Sequence, residues 1–307
     1  MKIFTKLIRC ILICMLNIEI GNAQQLFSSS LTPQILPIFN PAFTGYDINR
    51  EIIVGYRKSW IGTDDAPNTT YALYQTSLNN AKENSLPSTL NGVGAFASSD
   101  QIGGLSKTYF GLQYALHKKL TPKIRASIGV AGGISNWSFN SKNGLAKDEN
   151  DPAIDAFFSG RVEPYFSLGG TITYDNFFLG ISGQQLLKPN IKLSGEGDDS
   201  PLSTTGYITI GYAQKSPKGD WAFDPLVNLR LTKGSAVSTE MFVKATYNNL
   251  YFAGFGVRLQ DAAPLVMVGV KHKSFGLQLA YDIQNKNKDG LYPQGANSLE
   301  FLISFRF

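Results

Sequence analysis

The amino-acid sequence predicts an all-β fold: a transmembrane antiparallel β-barrel of about 14 strands with an extended N-terminal arm. Three observations carry this. Near the C-terminus, Leu299, Phe301, Ile303, Phe305 and Phe307 share one strand face, while Ser298, Glu300, Ser304 and Arg306 occupy the other, with Leu302 the one apolar intruder. Glycine and aromatic residues are abundant (30 Gly, 20 Phe, 14 Tyr) while charged residues make up only 17%. A soluble sandwich would show water a denser charged face than that. Finally, nothing beyond the leader approaches the ~18 consecutive apolar residues of a membrane helix, so the apolar strand faces are expected to meet lipid.

Residues 1–23 read as a signal peptide. Lys2, Lys6 and Arg9 precede the apolar run Ile11 to Leu16, and Gly21-Asn22-Ala23 offers a small-x-small cleavage site. Cys10 and Cys14 follow Arg9 and Ile13 rather than small residues, which argues against lipidation. Cleavage removes both cysteines, and the loss of Lys2, Lys6, Arg9 and Glu19 lowers the formal charge of +5 by two. Neither thiol chemistry nor nucleic-acid binding is expected of the remainder.

The arm, residues 24–49, carries Pro33, Pro37 and Pro41 at intervals of four. Each proline removes a donor and fixes φ, so neither a helix nor a central strand is expected to run through it. Ile35, Leu36, Ile38, Phe39 and Phe43 lie between them and need cover, so the arm is expected to pack into the barrel mouth, as a plug, or against a partner.

The barrel occupies residues 50–307, with strands expected at 50–60, 68–77, 89–99, 105–118, 123–140, 161–174, 176–186, 203–215, 220–232, 237–248, 250–260, 264–272, 274–284 and 297–307. Phe110, Leu112 and Tyr114, for example, alternate with Gly111, Gln113 and Ala115. The second face is expected to line the lumen with small or polar residues and isolated charges, among them Arg125, Glu240, Lys244, Arg258, Asp282, Glu300 and Arg306; Phe242 breaks the pattern. Long connections at 141–160, 187–202 and 285–296 alternate with tight ones such as Thr121-Pro122 and Asn248-Asn249. That asymmetry predicts long loops outside the cell and both barrel ends in the periplasm; the connection at 78–88 has no obvious place in the scheme.

No catalytic pattern stands out, and no enzyme activity is expected. His117 and His272, the only histidines, are expected as solvated residues at the periplasmic rim. Asp148, Glu149, Asp151 and Asp155 gather in one loop, and Glu196, Asp198 and Asp199 in another, but neither order is a calcium loop. Solvated acidic loops suffice, and neither metal nor cofactor is expected. A mixed-charge lumen is also compatible with a passive outer-membrane channel or transporter for small solutes.

Several spaced motifs point further. Phe39-Asn40-Pro41-Ala42-Phe43-Thr44-Gly45 resembles the Asn-Pro-Ala-aromatic-x-Gly opening of the PorP/SprF family of Bacteroidota. Tyr56-Arg57-Lys58-Ser59-Trp60 and Ala66 to Tyr71 are similar to its Tyr-Arg-x-x-Trp and Ala-Pro-x-Thr stretches. Asp100 to Ser106 resembles its Asp-x-Ile-Gly-Pro-Leu segment, with Gly104 for proline, and Asp151-Pro152-Ala153, Gly295, Glu300 and Phe305-Arg306-Phe307 also match. The resemblance spans the chain beyond the leader. It implies an outer-membrane component of the type IX secretion and gliding system, assisting export and surface anchoring of a secreted adhesin or cargo with a type B C-terminal sorting domain. Implied partners are that cargo, other type IX components in the periplasm and outer membrane, and outer-membrane lipid. Phe39, Asn40, Pro41, Phe43, Tyr56, Arg57 and Trp60 are the candidate partner-binding residues.

Overall fold

The computed structural model describes residues 28–46, 50–63, 66–78, 87–139, 161–187, 190–191, 200–201, 204–214, 220–232, 235–260, 263–283 and 297–307. The leader and both acidic loops lie outside the described residues.

Fourteen antiparallel strands close into one barrel. In chain order they are β1 (Arg50–Lys58), β2 (Asn68–Ser77), β3 (Thr89–Ile102), β4 (Leu105–Lys119), β5 (Ile124–Phe139), β6 (Arg161–Tyr174) and β7 (Phe177–Gln184), followed by β10 (Thr205–Tyr212), β11 (Trp221–Thr232), β12 (Ser238–Tyr247), β13 (Tyr251–Arg258), β14 (Ala263–Lys271), β15 (Phe275–Asp282) and β16 (Ser298–Arg306). The pieces β8 (Asn190–Ile191) and β9 (Ser200–Pro201) pair separately as a small ribbon. Each barrel strand pairs with its neighbours in sequence, and β16 closes on β1, Arg57 facing Glu300. Closure leaves no edge amides to be desolvated in lipid. All fourteen expected strands are present, most of them a residue or more shorter at the ends.

Alternation decides the faces as expected. Ile52, Val54, Phe110, Leu112, Ile128, Val268, Leu279 and Phe301 are exposed on the outer wall. No described helix is long and apolar enough to cross a membrane. The barrel has a loop end, reached through 59–67, 103–104, 140–160, 185–204, 233–237, 259–262 and 283–297, and a turn end, reached through 78–88, 120–123, 175–176, 213–220, 248–250 and 272–274. At the turn end Tyr174, Phe177, Trp221, Tyr251, Phe275 and Phe305 are exposed on the outer wall, an aromatic girdle of the kind found at bilayer interfaces. Asn248 and Asn249 both take positive φ (55° and 54°), as the central residues of a type I′ turn do, and Leu250 donates its N–H to Tyr247 O (3.0 Å) within this three-residue connection.

The arm differs from a fully extended segment. It folds as a 3₁₀ turn (Thr32–Gln34), one helical turn α1 (Leu36–Phe39) and a second 3₁₀ turn (Pro41–Phe43). Each proline stands in the first turn of its element, where an N–H has no intrahelical acceptor in any case. The prolines therefore limit each turn to three or four residues without forbidding it.

Candidate functional site

The lumen is occupied by the chain's own residues 28–46, which cross it from end to end. Gly45 donates its N–H to Gln75 Oε1 (3.0 Å), and Gln75 in turn bonds Glu51 (2.8 Å), near the start of β1 at the turn end. Ser30 sits at the opposite end, donating its N–H to Glu300 Oε2 (2.6 Å) beside Arg57, near the end of β1. Between these anchors Leu31, Ile35, Ile38, Phe39 and Ala42 are buried in an apolar core.

The lumen face supplies the matching apolar surface: Ile53, Leu73, Phe96, Phe242, Leu265 and Leu302 are buried in the same core. The expectation of a small, polar lumen is thus corrected. Leu302 and Phe242, which interrupt the polar pattern of their strands, point inward because the plug gives them an apolar neighbour. Burying one large apolar side chain is worth roughly 1.5–3 kcal/mol, so Leu31, Ile35, Ile38 and Phe39 together make spontaneous withdrawal of the plug rare.

At the loop end the lumen charges are not isolated, as alternation alone suggested, but joined. Arg57 meets Asp282 at 2.6 Å and Glu300 at 3.3 Å; Arg258 meets Asp282 at 2.7 Å and Glu240 at 3.2 Å. Strand pairing brings them together: Arg57 faces Glu300 across β1–β16, and Glu240 faces Arg258 across β12–β13. The plug completes the network. Ser29 Oγ donates to Glu300 Oε1 (2.6 Å), as does the Tyr71 hydroxyl (2.7 Å), while Arg57 and Arg258 (3.1 Å) both donate to Ser30 Oγ. Buried ion pairs add little net stability but are expensive to break singly, so this network fixes where the plug's first residues dock.

Toward the turn end the plug is received by glycines. A Cβ on Gly129 would stand 2.5 Å from Pro41 O, one on Gly169 2.9 Å from Asn40 Cγ, and one on Gly92 2.8 Å from Thr44 C. Only a wall without side chains at these positions admits the backbone so closely. Asn40 is the hub of this half. Its side chain caps the following 3₁₀ turn by accepting from Ala42 N (2.9 Å), and it donates to Ile181 O (3.3 Å) and Gly170 O (3.4 Å). Gln113 and Gln184 each donate to plug carbonyls at 2.7 Å, Pro37 and Ile38 respectively.

His117 requires a correction. It is 0% exposed, not a solvated rim residue: it lies on the lumen face of β4, and its ring nitrogens meet Ser127 Oγ (2.8 Å) and Thr44 O (2.9 Å). His272 lies exposed in the β14–β15 turn.

Of the seven candidate partner-binding residues, Phe39, Asn40 and Pro41 are buried in the plug and Arg57 in the network that docks it, while Phe43 packs edge-on against Phe178 at 5.5 Å. Tyr56 points to the outer wall, and Trp60, with φ 53°, lies at the loop-end rim. Sequence reasoning missed Glu300, Asp282, Arg258 and Glu240 as one site, and Gly129, Gly169 and Gly92 as another. The signal available was indirect: charges and glycines that recur on lumen faces without forming a local motif. The resemblance motifs do converge in space, Thr69 on Asp100 at 2.6 Å and Arg57 and Tyr71 on Glu300. Among the described residues no cluster of His, Cys, Asp and Glu has the makings of a metal site.

Solved structures share the architecture at low identity. The TodX ΔS2S3 mutant monoaromatic hydrocarbon channel aligns with 13% identity and a TM-score of 0.51, over 92% of this chain and 95% of that one. Omp33 of Acinetobacter baumannii aligns with 7% identity and a TM-score of 0.49, over 85% and 100%. A FadL homologue of Pseudomonas aeruginosa gives 11% and 0.48, over 87% and 93%. At 13% identity, the likeness to the TodX mutant is one of barrel fold alone. Among curated proteins no match is found. The family model for the type IX secretion system membrane protein PorP/SprF matches residues 23–305, and the chain, an outer-membrane β-barrel, belongs to that family.

Proposed function

We propose that this barrel is a non-enzymatic scaffold of the type IX system that assists export of a secreted adhesin or cargo bearing a type B C-terminal sorting domain and holds it at the cell surface. The reading puts the loop end outside the cell and both barrel termini in the periplasm, so that the long connections face the cargo and the turn end faces the periplasmic components of the machine.

The observation that carries it is the buried plug: a lumen crossed by the protein's own apolar core suits a rigid platform better than a conduit. Partner contact then falls to the rims, where Trp60 and the exposed Ile61 stand. Phe39, Asn40, Pro41, Phe43 and Arg57 serve the partner indirectly, by fixing the plug and the loop-end mouth it closes.

Tagged protein drawn from membranes is expected to recover a type IX component or a secreted adhesin, and a deletion strain is expected to lose surface display of that cargo. Recovery of neither, with secretion unchanged, defeats the proposal. Planar-bilayer recordings separate it from a passive solute channel, for which a steady open current would be seen.

A further inference from the structure

The plug fills the lumen unevenly, and the wall it leaves uncovered carries a charge cluster joined to the plug through Glu51, by way of Gln75. At the turn end, Asn40 to Gly45 lie against β2–β7. The facing wall presents Lys244 on β12, Lys271 on β14 and Arg306 on β16, with Asp224 on β11 and Glu51 on β1. Alternation directs them into the lumen, since the adjacent Val243, Val270 and Phe305 are exposed on the outer wall.

Lys244 pairs with Asp224 at 3.1 Å and Arg306 with Glu51 at 2.8 Å, yet the two basic side chains keep 28% and 36% of their exposure. Exposure on a lumen-facing side chain means that water reaches it through the turn-end mouth. Lys271 is exposed, its ammonium has no ion pair among the described residues, and it lies within electrostatic range of all four of these groups. The cluster therefore holds three cations against two anions, one of them uncommitted.

We propose that this vestibule is a binding site for an acidic peptide segment of a protein partner, entering through the turn-end mouth and presenting carboxylates to Lys271, Lys244 and Arg306. Lipid phosphates lie on the other side of the wall and cannot reach the lumen face. A concave, protein-walled mouth focuses its positive potential on whatever enters it, which suits a peptide better than a flat anionic surface. The inference names a site and a ligand class that the export-and-anchoring reading does not contain, and it stands on the geometry of the wall.

The test uses the purified full chain in nanodiscs and a fluorescent octaglutamate peptide, with octaglutamine as control, read by anisotropy at low salt and at high salt. Octaglutamate is expected to bind, octaglutamine not, and salt to weaken the binding. Lys271→Gln and Lys244→Gln are each expected to weaken it about tenfold, with the heat-modified gel shift confirming a folded barrel. Lys118→Gln, on the outward-facing side of β4 at the β4–β5 hairpin, is expected to change it less than about twofold. Equal loss in the hairpin variant, no loss in Lys271→Gln, or full competition by equimolar inorganic phosphate would each overturn the assignment. Because the peptide is added to isolated protein, the result does not depend on which secretion partners are recovered from cells.

Discussion

Replacing Gly129 by alanine tests the seating of the plug with a single methyl group. The new Cβ would stand 2.5 Å from Pro41 O, where ordinary contact begins at 3.4 Å, so the plug must retreat by nearly an ångström. The obstructing atoms are backbone, held from behind by the Asn40 side chain on Gly170 and Ile181, and have no rotamer by which to step aside. Overpacking of this kind costs about 1–3 kcal/mol. Gly132, on the same strand but facing outward, has nothing within 4 Å of its would-be Cβ. Gly132→Ala therefore carries the same change in strand propensity without the clash and should stay within about 0.5 kcal/mol of the parent. Urea unfolding of the folded barrel, followed by tryptophan fluorescence at matched m-values, reads the difference. If Gly129→Ala unfolds at the same midpoint as Gly132→Ala, the plug does not rest where the structure has it.

Gly169 and Asn40 form a thermodynamic cycle. Gly169→Ala should destabilise the parent, since its Cβ falls 2.9 Å from Asn40 Cγ, but be tolerated once Asn40→Ala has vacated that space, a coupling of about 0.5–3 kcal/mol by double-mutant analysis of unfolding. Leu302→Ala should cost about 2–5 kcal/mol, as expected of a fully buried core leucine, and a loss under 1 kcal/mol would mean that it faces no plug. Glu300→Gln removes the charge that Arg57, Ser29, Ser30 and Tyr71 share; it should lower barrel stability by about 3–5 kcal/mol and expose residues near Ser28 to limited proteolysis, detected by N-terminal sequencing. An epitope placed directly before Ser28 should be reached by antibody from the loop end, and reactivity solely from the turn end would contradict a plug that crosses the lumen.

The wall of this protein was legible because lipid and lumen impose a period of two that the chain cannot hide. Phe110, Leu112 and Tyr114 must alternate with Gly111, Gln113 and Ala115 wherever the strand lies in the barrel. Strand number and order therefore followed from the pattern, and so did the asymmetry of the connections. The arm was less legible. Its prolines announce where regular structure stops but not that each can open a turn of its own. His117 was misplaced for a related reason: position near a strand end suggests a rim, while the direction of the side chain, and the Thr44 carbonyl waiting for it, depend on a segment far away in sequence.

What the pattern did contain, without revealing it, was the track of the plug. Leu302 breaks the polar face of β16, and Phe242 that of β12, so each looks like noise in a lumen filled with water. Neither is noise if an apolar segment is to lie against them, because a leucine facing an aqueous lumen would gain nothing from being there. The glycines carry the complementary message. Gly129 and Gly169 face each other across β5–β6, weaken a strand intrinsically and serve no turn; only a backbone passing at contact distance gives them a purpose. In a barrel of this kind, large apolar residues on the lumen face mark where a plug buries its side chains, and lumen-facing glycines mark where its main chain runs. Those two classes of exception, taken together with an apolar, proline-punctuated segment upstream of the first strand, are sufficient to predict an occupied lumen, and the charges left outside the track, such as Lys271, are the ones free to meet something else.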